Sequence, residues 1–197
     1  MGIIGSPRLG GNTDTLVNAI LSSCQNNGVF TETVYLDAMN ISHCNACNHC
    51  QSNGECIHRD DMQEIVTLME KCDVWVLGTP IYWWGTTAQM KAFIDRWYGI
   101  KQSIFQDKKL LLVITMGGND SYYSRHVVGM FEDICKYLGI DFLDSLIAPG
   151  MKNIESAKQT NSLLERAEKL GSMILPSEGH FDDVIKDQNM DRHCLIE

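Results

Sequence analysis

Two stretches of this chain, Asp73-Val-Trp-Val-Leu-Gly78 and Lys109-Leu-Leu-Leu-Val-Ile-Thr115, are almost unbroken runs of apolar residues. Neither alternates as a strand with one wet face would, and neither is long enough to cross a bilayer. Strands of this kind are buried on both sides, as in a parallel sheet covered by helices on each face. Helical periodicity appears where the crossovers of such a sheet must lie. Asn12 to Asn26 puts Leu16, Ala19 and Ile20 on one face, with Asn12 in N-cap position. Asp60 with Gln63 reads as a capping box ahead of the stripe Met62, Ile65, Val66 and Met69. Ala88 to Trp97, His126 to Leu138 (stopped by Gly139) and Ser156 to Ile174 supply three more helices. Strands are expected at Gly2 to Gly5, Thr31 to Leu36 and Asp141 to Ala148. Alternating strands and helices define a doubly wound α/β sandwich over residues 1–175, with a tail at 176–197.

Composition narrows the function. At 197 residues and 22.2 kDa the chain suits one domain. A net charge of −9 and the lack of any basic run argue against a nucleic-acid groove. The chain shows no eighteen-residue apolar run and no signal peptide, so a cytoplasmic protein without a membrane partner is expected. Met1 to Ser6 and Cys194 to Glu197 loosely match lipidation patterns. Glu is an unusual last residue for a prenylation box, and Gly2 to Gly5 reads better as a strand.

Of eight cysteines, Cys44, Cys47, Cys50 and Cys56 crowd one loop, the first three at successive two-residue gaps. Without a secretory signal, such thiols suit metal or redox chemistry rather than a disulfide framework. Gathered thiolates favour a soft metal or an iron–sulfur cube. Structural zinc sites more often use two separated ligand pairs. The final five-residue gap and the missing Pro differ from bacterial ferredoxins, so zinc and free thiols remain alternatives. His43, His49 and His58 flank the array, either as solvated loop residues or as groups able to ligate or to hydrogen-bond sulfide. Cys24, Cys72 and Cys135 read as small buried apolar residues, and Cys194 lies in the tail.

Three loops fall at the carboxyl edge of the expected sheet. Gly5-Ser6-Pro7-Arg8-Leu9-Gly10-Gly11-Asn12-Thr13 leads from a strand into a helix N-terminus, which makes a phosphate cradle. It is neither a Walker loop nor a Gly-x-Gly-x-x-Gly fingerprint, and it suits a terminal phosphate monoester. Thr79-Pro80-Ile81-Tyr82-Trp83-Trp84-Gly85 offers aromatic surface for a flat conjugated ring, or a core or interface cap. Thr115 to Asp120 adds a glycine-bearing loop. Asp95-Arg96 is read as ending a helix and holding it on the sheet, with Lys91 four residues before Asp95. No Ser–His–Asp order or Gly-x-Ser-x-Gly elbow supports a hydrolase, and no catalytic residue stands out.

Gly5-Ser6-Pro7-Arg8 with Gly11-Asn12-Thr13, Thr79-Pro80-Ile81-Tyr82-Trp83 and Lys91-Ala-Phe-Ile-Asp95-Arg96 resemble the flavodoxin-like NAD(P)H-dependent FMN reductase superfamily. The cysteine array is similar to that of its iron–sulfur flavoprotein branch. The resemblance implies a five-stranded sheet in order 2-1-3-4-5 and non-covalent FMN. The FMN phosphate would lie at Ser6, Arg8, Asn12, Thr13 and Asp14, and its ring at Pro80, Ile81, Tyr82, Trp83, Met116, Gly117 and Gly118. It also implies a [4Fe–4S] cluster on Cys44, Cys47, Cys50 and Cys56, and a homodimer or homotetramer. An electron donor such as ferredoxin or NAD(P)H and a small-molecule or protein acceptor would complete the cycle. The alternatives are a cluster-free NAD(P)H-dependent FMN or quinone reductase with a zinc or thiol loop, and a non-catalytic flavodoxin-type carrier.

Overall fold

The computed structural model describes residues 1–174; the expected tail lies outside them. Five parallel strands form one sheet in the order β2-β1-β3-β4-β5. They are β1 (Gly2–Ile4), β2 (Thr33–Tyr35), β3 (Val74–Pro80), β4 (Lys109–Thr115) and β5 (Asp141–Ala148). The helices are α1 (Asn12–Asn26), α2 (His49–Asn53), α3 (Met62–Lys71), α4 (Ala88–Asp95), α5 (Arg125–Leu138) and α6 (Asn161–Ser172). This is the flavodoxin-like order, and the sheet reverses direction of winding between β1 and β3.

The central strands are buried on both faces because alternate residues feed two separate cores. Ile3, Trp75, Leu77, Leu110 and Leu112 pack with Ile65 and Met69 of α3, Phe93 of α4 and Phe131 of α5. Ile4, Val76, Leu111 and Val113 pack with Leu16, Val17 and Ile20 of α1 and Ala167 and Leu170 of α6. On that second face α1 and α6 come so close that a Cβ on Gly171 would sit 2.3 Å from the Ile20 carbonyl oxygen. Gly171 is therefore fixed by packing.

Several details depart from the sequence expectations: α6 spans Asn161–Ser172 rather than Ser156 to Ile174, α4 ends at Asp95, and four further points matter. β2 spans only Thr33–Tyr35, because Leu36 turns into a 3-10 segment and buries its side chain. A short helix, α2, forms inside the cysteine loop. The cap of α1 is Gly11, with Asn12 as the first helical residue. The Asp60–Gln63 capping box is not made: Asp61 is the N-cap of α3, and the Asp60 carboxylate accepts from Arg96 instead.

Candidate functional site

The loops after β1, β3 and β4 leave neighbouring parallel strands at their carboxyl ends, where the winding reverses. Ligands of open α/β sheets bind at such a place. Gly10 turns the first loop with φ +68, and its N–H donates to Asp14 Oδ2 at 2.6 Å. Asp14 Oδ1 accepts from Tyr35 Oη at 3.1 Å and from Asn18 Nδ2. All these partners come from the chain, so Asp14 braces the loop from beneath. Asn12 reaches across to the segment after β5, donating to the Asn153 carbonyl at 2.7 Å and accepting from Ala157 N at 2.8 Å. Thr13 and Thr115 share a buried hydroxyl–hydroxyl bond of 2.8 Å that ties α1 to the end of β4. Ser6 is buried and accepts from Arg8 N at 3.2 Å, while Arg8 itself is exposed. The first N–H groups of α1 have no acceptor within the helix, and they join the positive end of its dipole at the mouth of this loop.

The aromatic loop is a tight hairpin turn. Tyr82 and Gly85 exchange two backbone hydrogen bonds of 3.0 Å, and Trp83 and Trp84 between them have φ of 49 and 62. Such turns favour Asn-Gly, so two tryptophans here carry backbone strain. Trp83 is 91% exposed and Trp84 is 51% exposed. Trp84 meets Tyr123 edge to face at 6.3 Å. Pro80 and Ile81 are half-buried, and Ile81 N donates to the Thr115 carbonyl at 2.8 Å. Met116 turns its side chain into the core, leaving Gly117 and Gly118 exposed beside the aromatic turn. Sequence reasoning passed over Thr87. Its hydroxyl donates to the Gly5 carbonyl at 2.6 Å and accepts from Met90 N, so it caps α4 against the first loop. A Thr just before a helical stripe was the available signal.

The cysteine loop closes at a neck. Asp60 accepts from Ser42 N at 2.9 Å and from both Arg96 nitrogens at 2.6 and 3.1 Å, and Arg96 also donates to the Ser42 carbonyl at 2.8 Å. Asn40 and Asp61 add two more bonds across the same neck. Both charged side chains are almost fully buried. Burial works to raise the Asp60 pKa, but the bonds from Arg96, Ser42 and Met62 outweigh it and hold the carboxyl below its usual range. Burial likewise works to lower the Arg96 pKa; Asp60, and more weakly the Cys56 thiol, reverse this and raise it. Arg96 thus ends α4 by gripping the cysteine loop, while Asp95 stays exposed and pairs with Lys91.

Cys44, Cys47, Cys50 and Cys56 all line one recess, together with Tyr98 and Gly99. All four are free thiols. Ala46 and Asn48, between successive cysteines, adopt left-handed φ of 56 and 58, which bends the loop around the recess. The donor set is that of a thiolate-held centre. Among the described residues, however, no three Cys, His, Asp or Glu side chains converge as metal ligands. His58 lines the same recess, and its Nε2 is buried without a hydrogen-bond partner, unlike a solvated loop histidine. Of the remaining cysteines, Cys24 and Cys135 are buried; burial raises the Cys24 pKa, and burial with Asp141 pushes Cys135 up to about 12. Cys72 is only partly buried.

A five-stranded parallel sheet with a glycine-rich strand–helix loop, an aromatic turn and a second glycine loop at one edge defines a flavodoxin-like α/β protein. Residues 1–137 match the NADPH-dependent FMN reductase family. An iron-sulfur flavoprotein of Archaeoglobus fulgidus is 33% identical over 176 residues, covering 88% of this chain and 77% of that one. An iron-sulfur flavoprotein of Methanocaldococcus jannaschii is 40% identical over 96 residues, 49% of this chain and 50% of the other. The NAD(P)H:quinone oxidoreductase of Methanothermobacter marburgensis shares the fold with a TM-score of 0.73 at 18% identity, covering 91% of this chain and 96% of that one. The chain belongs to the NADPH-dependent FMN reductase family, in its iron–sulfur flavoprotein branch, and is an FMN-dependent oxidoreductase. Among the described residues no helix is long and apolar enough to cross a membrane.

Proposed function

We propose that this oxidoreductase passes electrons between a donor and an acceptor through two centres, FMN at the three loops and a [4Fe–4S] cluster on Cys44, Cys47, Cys50 and Cys56. The observation that carries this reading is the shared recess of the four thiols, joined to the flavin loops by one helix. α4 has 8 residues, about 12 Å of rise. Thr87 fixes its start to the phosphate loop, and Asp95 and Arg96 at its end line the cysteine recess. Bound FMN would accept an electron pair and release electrons singly, which matches a two-electron donor to a one-electron centre. In this reading the first turn of α1, Ser6 and Arg8 hold the phosphate, with Asn12, Thr13 and Asp14 fixing the loop's shape. Pro80, Ile81, Tyr82, Trp83, Gly117 and Gly118 border the ring, and the buried Met116 anchors that edge. NAD(P)H or a ferredoxin-type donor would approach over the exposed aromatic turn. Those exposed indoles also favour self-association as a homodimer or homotetramer, which sedimentation of the purified chain would measure.

The test is an absorbance spectrum of anaerobically purified protein with iron and acid-labile sulfide analysis. Flavin bands with about four irons and four sulfides per chain, as a cubane requires, support the two-centre reading. Flavin bands without iron sink it. A second reading, a cluster-free NAD(P)H-dependent quinone or flavin reductase with a zinc or thiol loop, is favoured by one observation: the thiols are not drawn onto a single point. Zinc at one equivalent per chain would establish that alternative.

A further inference from the structure

Every other polar side chain that lines the cysteine recess beside the thiols and has a recorded bond is satisfied from within the chain. Arg96 is held by Asp60 and the Ser42 carbonyl, and Asp95 by Lys91. Tyr98 Oη donates to Asn48 Oδ1 at 3.4 Å. His58 differs. Its Nε2 is one of only two buried side-chain nitrogens or oxygens without a partner among the described residues, the other being Trp97 Nε1. A buried nitrogen with no partner is costly, and chains seldom keep one unless a bound group satisfies it.

The position of His58 is also fixed. It lies two residues after Cys56 and two before Asp60, whose carboxylate is clamped at the neck. The ring is therefore held at the wall where Cys56 and Arg96 meet. Among the described residues no group is placed to accept from His58 Nε2, and the sulfurs of a thiolate-held cluster are acceptors. Hydrogen bonds to such sulfurs stabilise the reduced, more negative state and raise the reduction potential.

We propose that His58 donates a hydrogen bond from Nε2–H to a sulfur of the cluster and sets its potential as a positioning residue, not as a ligand. This rests on the two-centre reading above. It adds that the recess is polar at one wall, with one donor reserved for the occupant.

The experiment uses the full chain, reconstituted anaerobically with iron and sulfide and labelled with 15N-histidine. Iron and sulfide analysis comes first: wild type that takes up neither sinks the cluster reading, and this proposal with it. For loaded protein, pulsed EPR of the reduced cluster reads coupling to histidine nitrogen, and dye-mediated potentiometry reads its midpoint. We expect a weak 15N coupling that survives His43→Gln and His49→Gln but is lost in His58→Phe. His58→Phe should keep its iron and titrate at a more negative midpoint, and His58→Gln, which retains an N–H donor, should recover part of the shift. Loaded wild type without histidine coupling, or equal midpoints in wild type and His58→Phe, would overturn the proposal while leaving the cluster reading intact. Should His58→Phe fail to load, the wild-type coupling and its survival in the other two variants decide the matter. A coupling as strong as direct nitrogen ligation would also overturn it.

Discussion

Arg96 and Asp60, 36 residues apart in sequence, form a two-pronged ion pair with N–O distances of 2.6 and 3.1 Å at the base of the cysteine loop. The side chains are 3% and 4% exposed. A pair this deep gains little over well-packed apolar residues, but breaking it strands a buried charge. Arg96→Met is therefore expected to destabilise the protein by about 3–5 kcal/mol. The double variant Arg96→Met with Asp60→Asn should lose less than the sum of the single changes, because neither charge is then left alone. Urea denaturation of the four proteins measures this. Additive losses would mean that the two groups stabilise the fold independently.

The same pair makes the neck sensitive to acid. The Asp60 pKa is lowered on folding, so its contribution is fully present above the unfolded value of about 3.9 and is lost as pH falls through the lower folded value. Protection of the Ser42 backbone amide, which Asp60 holds, should fade in that window before the core strands open. Hydrogen exchange followed by mass spectrometry across the acid range reads it. In Asp60→Asn the Ser42 amide should be weakly protected at every pH; an unchanged acid profile would place the titrating group elsewhere.

Trp83 and Trp84 oppose local stability. Two left-handed non-glycine residues cost on the order of 1–3 kcal/mol each, whereas Asn-Gly suits this turn. Replacing the pair by Asn-Gly should raise the thermal midpoint, which calorimetry reads, because the left-handed strain is relieved while only exposed indole surface is lost. A lower midpoint would mean that the packing of Trp84 on Tyr123 outweighs the strain.

The limits of β4 and β5 were legible to the residue, because each strand is bracketed by turn residues and fills its place in the sheet. At the candidate site, sequence foretold only which residues local chain geometry brings together. The four cysteines line one recess because short gaps leave them little choice, and the three loops meet because the strand order brings them together. Asp60 was misread because its pattern suggested a local cap, while its actual partner lies 36 residues away. Asn12 was misplaced for a similar reason: its amide is spent on Asn153 and Ala157, across the sheet edge. The buried Nε2 of His58 has no sequence signature, because it depends on how the loop folds over its own neck.

Cys47 offers a test that separates the proposed cluster from FMN. It lies exposed in the loop after β2, whereas the loops proposed to hold FMN follow β1, β3 and β4. Cys47→Ala is expected to abolish bound iron and sulfide while flavin content stays at one per chain. Unchanged iron in that variant would remove Cys47 from the ligand set.

Arg8 provides the complementary test on the flavin side. It is the exposed cation of the first loop, at the mouth formed by the α1 N-terminus, while the nearby side chains of Asn12, Thr13 and Asp14 are all bonded within the chain. A phosphate dianion seated there gains a charge-assisted bond worth about 1.5–3 kcal/mol, so Arg8→Ala should weaken FMN binding about ten- to a hundredfold. Raising ionic strength should weaken the wild type more than the variant, because only the wild type holds the phosphate with a solvent-facing charge. Fluorescence titration of apoprotein with FMN and with riboflavin separates the causes. Riboflavin, lacking the phosphate, should bind both proteins alike; an Arg8→Ala loss of equal size for riboflavin would mean that Arg8 acts on the ring or on the loop's fold and not on the phosphate.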